Sequence, residues 1–550
     1  VDRILAHAEI VDGTGAPRRR ADVGIEGGRI AAVEATLRVP GVPRLDLGGL
    51  ILAPGFIDLH SHHDLVFSLP PVRQAELLEG RLRQGITTEL VGNCGIGPAP
   101  LDAACADEVR RVCGFITPDG CEWRWRTVGE YLDRLEEQGV VLNVATLAAH
   151  GPARARACGV GASRPDAASL ERLRQTIGDA VGEGAFGVSF GLIYPPGQFA
   201  HTDEVAACAA VAAARGGFAA FHQRGSSRAT LFEAVGEIVA VGQATGAAVH
   251  HSHVETVGPR AWSGTREVLR LHDEAARTGL DISGDVIPYT AVCTTLLALL
   301  PPWALDGGVS ALLVRLRDPE ARLRMKHEVA DADALWPPWA DPARFTMNIA
   351  RECGWDRIHL AHVDGGANKR FEGLSIAAIA RCRGVDPFDA TADLLLEEEG
   401  VATQLLFGIS GDAAGDEDLV PLLQSGRLAF VSDAWEIGKG APHPGAYGAF
   451  PRVLGHYVRE RAVVTLEEAV RRMTRLPAAR LGLRDRGVIA KGACADLVAF
   501  DPESIAARSD YRTPRAMAAG IEHVFVNGSA LVLSNRYQPQ AAGSVLRRAA

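Results

Sequence analysis

The stretch Gly55-Phe-Ile-Asp-Leu-His60-Ser-His62-His63-Asp64 ends an apolar run in histidines two positions apart. Along an extended strand, side chains at i and i+2 leave the same face, so His60 and His62 can converge on one point. Neutral imidazole is a common ligand of zinc, and catalytic zinc sites take about three protein ligands while leaving a position for water. Taken alone, the pair reads more simply as a polar strand end with surface histidines. The rest of the chain decides against that simpler reading.

Downstream of His62, apolar segments of strand length alternate with Ala-, Leu- and Arg-rich helical segments. Ile86–Val91, Leu142–Leu147, Gly187–Phe190, Phe218–Phe221, Ala248–Ser252 and Leu280–Asp285 are the strand candidates. Alternation of this length predicts a parallel sheet, and in a 550-residue chain a (β/α)8 barrel of the TIM type is the leading α/β architecture. Such barrels carry their chemistry at the C-terminal ends of the strands. Short alternating stretches at Asp22–Glu26 and Arg29–Val33, with turn signals at Asp12-Gly13 and Gly27-Gly28, read as strands and hairpins, and similar material returns at Ala495–Phe500 and His523–Gly528. The expectation is a small β domain built from both termini, 1–52 and 485–550, around a barrel spanning 53–484. Between about 293 and 426 the spacing turns irregular, with proline-rich and acidic stretches, and predicts a largely helical insertion over the barrel mouth.

Composition narrows the partners. A 47% hydrophobic content supplies a sizeable core, and a formal net charge of −10 offers no basic stripe for a phosphate backbone, so no nucleic-acid partner is expected. No run of about 18 apolar residues occurs, which excludes a membrane-spanning helix at the sequence level. Val1-Asp-Arg-Ile-Leu lacks the basic-then-apolar pattern of a secretion signal, so a cytoplasmic location is expected. The ten cysteines show no paired CxxC spacing and read as reduced thiols. Oligomeric state is not legible.

Four further residues stand beside strand ends. Cys94, in Val91-Gly-Asn-Cys-Gly-Ile-Gly-Pro98, follows an apolar strand, and a thiolate is a good zinc ligand where glycines let the backbone approach. His222 follows Phe218–Phe221, His253 ends Val249-His-His-Ser252, and Asp433 follows Leu428–Ser432. Singly, the cysteine and each histidine read more readily as structural core residues, and Asp433 can be a strand-end turn aspartate. Gly187-Val-Ser-Phe-Gly191 fits the pattern of serine hydrolases with Ser189 as nucleophile, but that motif requires a helix directly after the serine and Pro195-Pro196 intervenes. A barrel kept only for binding or assembly is the other alternative, and the persistence of all six donors weighs against it.

The order decides. A His-x-His on the first barrel strand, single histidines ending two middle strands and an aspartate on the last resembles the metal-dependent amidohydrolase superfamily. The N-acyl-D-amino-acid deacylase branch is the nearer likeness, through Val91-Gly-Asn-Cys-Gly95, Ser189-Phe-Gly-Leu-Ile-Tyr-Pro-Pro196, His222-Gln-Arg224, Ser252-His253, Ser432-Asp433, His443-Pro444 and Tyr447-Gly-Ala-Phe-Pro-Arg-Val-Leu-Gly455. Val11–Pro17 and Gly492–Val498 extend it over nearly the whole chain. The resemblance implies a zinc-dependent hydrolase acting on a small-molecule amide. It implies that Cys94, His222 and His253 hold a tight Zn2+, that His60, His62 and Asp433 form a second, weakly filled position, and that Asp433 is the general base. The carboxylated lysine of many superfamily members has no candidate here, since only Lys326, Lys369, Lys439 and Lys491 exist and none lies in the first seven strands.

For substrate contact the candidates are Tyr194, Arg224, Glu255, Tyr289 and His443, although Arg224 reads more readily as a structural salt bridge. The resembled deacylases hold the substrate α-carboxylate with a lysine two residues after the strand histidine, an arginine after His-Pro and a tyrosine before Pro-Tyr. This chain has Glu255, Gly445 and Ile287 there, and Glu255 would repel a carboxylate. The expectation is an atypical amide or lactam substrate.

Overall fold

The computed structural model describes residues 1–340 and 345–548, so residues 341–344 of the expected insertion and the last two of the C-terminal segment lie outside the described residues. The parallel strands Phe56–Asp58, Ile86–Val91, Asn143–Thr146, Gly187–Gly191, Phe218–His222, Val249–His251, Ile282–Val286 and Leu428–Phe430 form the (β/α)8 barrel. They are buried along their length, which explains why they read as apolar runs without alternation. The third strand is split at Leu147: Asn143–Thr146 pairs with the second strand, and Ala148–Ala149 pairs with the fourth. Two of the helices packed around the strands begin at a side-chain cap. Asp166 accepts from the Ser169 N–H at the start of Ala167–Gly182, and Thr465 accepts from the Glu468 N–H at the start of Leu466–Met473.

Closure occurs just beyond the first and eighth strands. Ser61 bridges Ala434, the Asp433 N–H donates to the His60 carbonyl at 3.0 Å, and the His62 N–H donates to the Ala434 carbonyl at 3.1 Å. The seam is braced from beneath by Arg81, on helix Pro71–Leu82, which is 1% exposed. Its guanidinium reaches Asp58, Ser432 Oγ at 2.9 Å and Glu89 at 2.5 Å. Asp58 also accepts the backbone N–H groups of His60 and Ser432, each at 3.2 Å, while Glu89 takes the Ser61 hydroxyl at 2.8 Å and His63 Nδ1 at 2.9 Å. Loss of the cation would strand two carboxylates in the core, and breaking a buried pair in this way costs about 3–5 kcal/mol.

The termini meet in one nine-stranded sheet. Its join is the antiparallel pair Ile51–Pro54 and Leu497–Phe500, with Leu497 opposite Pro54 and Phe500 opposite Ile51. Leu5, Val23, Leu52, Leu497 and Phe525 fill its own apolar core. Strand Ile51–Pro54 runs directly into the first barrel strand, so this sheet anchors the segment that carries the histidines.

Between the seventh and eighth strands lie the helices Gly308–Arg317, Pro319–Asp331, Ile376–Arg383 and Pro387–Glu397, as a helical insertion requires. The reading as largely helical needs one correction, because the segment also builds a three-stranded antiparallel sheet from Ala291–Thr295, Ala402–Phe407 and Ile358–Val363. These strands are short and almost wholly buried, so they lack the alternation that would mark them. The sheet meets the barrel mouth: Tyr194, after the fourth strand, shares a 2.7 Å hydrogen bond with Thr294. No described helix is long and apolar enough to cross a membrane, and all ten cysteines are unpaired.

Candidate active site

Barrel closure sets His60, His62 and Asp433 side by side. His60 Nε2 and His62 Nε2 each lie 3.3 Å from Asp433 Oδ1. Cys94, in the loop after the second strand, brings its Sγ to 3.2 Å from His60 Nε2 and 3.6 Å from His253 Nε2. His222 and His253, ending the fifth strand and following the sixth, face each other with ring centroids 4.3 Å apart. The donor atoms of Cys94, His222 and His253 lie within 4.8 Å of one another, as do those of His60, His62 and Cys94 and those of His60, His253 and Asp433. All six side chains named from the sequence therefore meet in one buried cluster.

The backbone is bent to achieve this. Cys94, His253 and Asp433 have φ of 54°, 33° and 44°, a region that side-chain-bearing residues occupy at a cost of about 1–3 kcal/mol each. The Cys94 loop is held by its neighbours. Ser189 donates its hydroxyl to the Gly92 carbonyl and accepts the Gly95 N–H at 3.1 Å. Gly191 is required beside it, because a Cβ there would lie 1.8 Å from the Cys94 carbonyl oxygen.

The charges balance one another across the cluster. Burial would raise the Cys94 thiol, but His60, His222 and His253 hold it well below the ordinary thiol range. Burial would lower the histidines, yet the Asp433 carboxylate and the Cys94 thiolate push His62 up to about 9, and Glu255 with Cys94 pushes His253 up to about 10. Asp433 is held below the usual carboxylate range against burial by His60 and His62. A divalent cation answers the thiolate and carboxylates together. The donor spacing suits one: zinc bonds of about 2.3 Å to sulfur and about 2.0–2.1 Å to nitrogen at tetrahedral angles separate the two donors by about 3.5 Å, against the observed 3.6 Å for Cys94 and His253. His62, His222 and His253 each also keep a buried Nδ1 with no hydrogen-bond partner among the described residues.

A family model described as an amidohydrolase family matches residues 45–532. The chain belongs to the amidohydrolase family. Among curated proteins it is similar to the N-acyl-D-glutamate deacylase of Alcaligenes xylosoxydans xylosoxydans, 35% identical over 100% of this chain and 97% of that one. It is also similar to the D-aminoacylase of the same organism, 30% identical over 100% and 98%. Among solved structures it resembles the N-acyl-D-glutamate deacylase of Bordetella bronchiseptica, complexed with zinc and a phosphonate inhibitor, with TM-score 0.80, 31% identity and full coverage of both chains. This amidohydrolase is thus a D-aminoacylase-like, metal-dependent hydrolase of carbon–nitrogen bonds other than peptide bonds.

The residues chosen for substrate contact fare differently. Tyr194 sits against the cluster, its ring 5.0 Å from that of His222. Glu255 lies with Oε1 3.8 Å from His253 Nδ1 and keeps a buried Oε2 with no hydrogen-bond partner among the described residues; burial pushes its carboxyl up to about 7 against the pull of His253. His443 presents only its ring. Its Nδ1 accepts the Gly445 N–H at 3.0 Å, so the proton is on Nε2, which donates to the Ala291 carbonyl at 3.0 Å. Tyr289 packs edge-on against that ring at 4.9 Å. Arg224 needs correction as a substrate contact: it is fully buried and its fork is spent on Glu237, at 2.9 and 3.0 Å, with the remaining nitrogen on the Gln198 carbonyl.

The serine reading also fails on structure. Ser189 lies inside the strand Gly187–Gly191 with both hydrogen-bonding directions committed to the Cys94 loop. Sequence reasoning passed over Asp285, His250 and Ser283, which support the cluster from the seventh and sixth strands. The available signal was Ser283 and Asp285 at i and i+2, polar residues on one face of an otherwise buried strand. Ser189→Ala should retain zinc-dependent hydrolysis while losing about 1–3 kcal/mol of stability from the unsatisfied Gly92 and Gly95 backbone groups. Thermal unfolding and an activity assay check this; abolished turnover with metal content intact would return the serine to the chemistry.

Proposed function

We propose that this amidohydrolase is a zinc-dependent deacylase of a small acylated amine. In this reading Cys94, His222 and His253 hold one tight zinc, and His60, His62 and Asp433 form a second, weaker position. The observation that carries the reading is the convergence of a buried thiolate with two imidazoles from three separate barrel strands. The likeness to an enzyme complexed with zinc, and to a D-aminoacylase whose described binuclear centre shows one-metal activation and second-metal attenuation, supports it.

Zinc held there supplies Lewis acidity, which brings the pKa of water toward neutrality and polarises the scissile carbonyl. The protein supplies the proton traffic. Asp433, kept ionised by His60 and His62, takes the water proton and returns it to the leaving nitrogen. The Tyr194 ring, which packs against that of His222, limits the space beside the metal ligands. No covalent intermediate is needed.

Glu255 sets the substrate class in this proposal. At the positions where the resembled deacylases anchor an α-carboxylate, the chain offers a buried carboxyl at 255, a buried aliphatic side chain at Ile287 and no side chain at Gly445. An arginine cannot simply be restored at 445, because a Cβ there would lie 2.8 Å from His443 Nδ1. The group placed near Glu255 is therefore neutral or cationic, as in a carboxamide or lactam. The 35% identity to an N-acyl-D-glutamate deacylase favours the competing reading of a free acid substrate.

Two measurements test the metal assignment. Elemental analysis should find zinc in the wild type and a loss of tight zinc in Cys94→Ala; unchanged zinc in the variant would sink the assignment. Asp433→Asn should keep the tight zinc and lose about 10²-fold or more in kcat, and near-normal turnover would remove the aspartate from the mechanism.

Specificity is tested by kcat/KM for an N-acetyl-D-amino acid against its carboxamide. The wild type should favour the carboxamide, and Glu255→Lys should shift the ratio toward the acid by about 10–10²-fold, the worth of one charge-assisted contact of about 1.5–3 kcal/mol. Efficient wild-type hydrolysis of the free acid would show that another group binds the carboxylate.

A further inference from the structure

Asp285, at the C-terminal end of the seventh strand, touches both halves of the cluster without being one of its six donors. It is fully buried. Its Oδ2 accepts from His60 Nδ1 at 3.3 Å and from His250 Nε2 at 2.8 Å, while its Oδ1 accepts the backbone N–H of His253. Its own carbonyl accepts the Val254 N–H at 2.8 Å. One carboxylate thus orients the ring of His60, accepting from its Nδ1–H and turning its Nε2 toward Cys94 and Asp433. The same carboxylate holds His253 in its left-handed backbone conformation at φ 33°.

The far side of Asp285 is equally organised. Ser283 Oγ lies 2.8 Å from His250 Nδ1. With Nε2–H committed to Asp285, His250 Nδ1 is an acceptor and the serine hydroxyl is its donor. Burial lowers His250, which keeps this ring neutral and its single proton on Nε2. His250 and Ser283 form part of the lining of a cavity of about 1000 Å³ that opens between Gly217, Asp281 and Arg480, at the N-terminal ends of the strands and opposite the metal cluster. A continuous run of hydrogen bonds, Ser283 to His250 to Asp285 to His60, therefore crosses the barrel interior from one mouth to the other.

We propose that Asp285 is the positioning residue of the metal centre, and that His250 and Ser283, at the opposite mouth, hold it in place. This rests on the metal assignment made above. Outer partners of ligating histidines fix ring orientation, and their loss typically costs about 10–100-fold in metal affinity. Asn at 285 keeps the shape but cannot serve all three donors: an amide oxygen in the place of Oδ2 accepts from His60 and His250 but turns its NH2 toward the His253 N–H, and the flipped amide loses both imidazoles.

The test uses the full-length protein loaded with zinc or cobalt(II). Zinc affinity is read by chelator competition, and ligand geometry by the visible absorption of the cobalt form. Asp285→Asn should weaken zinc about 10–100-fold and shift the cobalt bands. Ser283→Ala, which removes one hydroxyl remote from every ligand and serves if the first variant does not fold, should weaken zinc in the same direction by a smaller factor and shift the same bands. Wild-type affinity and spectrum in both variants, with only a lower thermal midpoint, would reduce Asp285 to a structural residue. A wild-type protein that binds neither metal would overturn the metal assignment itself, which keeps the two failures distinguishable.

Discussion

The backbone bonds that close the barrel between its first and eighth strands are the constraint on which the site depends. They run from Asp433 to His60 and from His62 to Ala434, so the same contact that shuts the sheet places two imidazoles and a carboxylate at one point. Closure alone does not hold such a seam, since Asp58 and Glu89 are buried beneath it. Arg81 makes their burial tolerable by meeting both carboxylates and Ser432 with one guanidinium. The buried ion network is thereby part of the chemistry, because it decides where His60 and Asp433 sit.

A second constraint follows from charge. The cluster gathers a thiolate and carboxylates in a buried region, and imidazoles are the groups beside them that hold them ionised. Strained backbone at Cys94, His253 and Asp433 is the local cost of aiming these groups inward. Rigid supports meet that cost: Ser189 and Gly191 for the Cys94 loop, Asp285 for His253 and the strand seam for Asp433. A cluster built this way is preorganised, and the residues around it are as necessary as its six donors.

Much of this was legible in the sequence. Buried parallel strands appear as apolar runs, and residues that end them fall at the barrel mouth, so His222, His253 and Asp433 could be placed by counting strands. The antiparallel sheet at Ala291–Thr295, Ile358–Val363 and Ala402–Phe407 was not legible, since strands buried on both faces lose the alternation that marks a sheet. Arg224 looked available only because its partner, Glu237, is 13 positions away on the next helix. Asp285 was missed for a related reason: a lone acid in a short strand says nothing of the two histidines from other strands that donate to it.

The substrate side is less constrained than the metal side, because Glu255, Ile287 and Gly445 act by what they withhold as much as by what they offer. Everything said of catalysis nonetheless returns to where the metal sits. Anomalous diffraction at the zinc edge, from crystals of the purified protein, answers that directly. The account expects its strongest peak bonded to Cys94 Sγ, His222 and His253, with any second peak weaker and beside His60, His62 and Asp433. A strong peak at the second position alone, or none within bonding distance of Cys94, would contradict it.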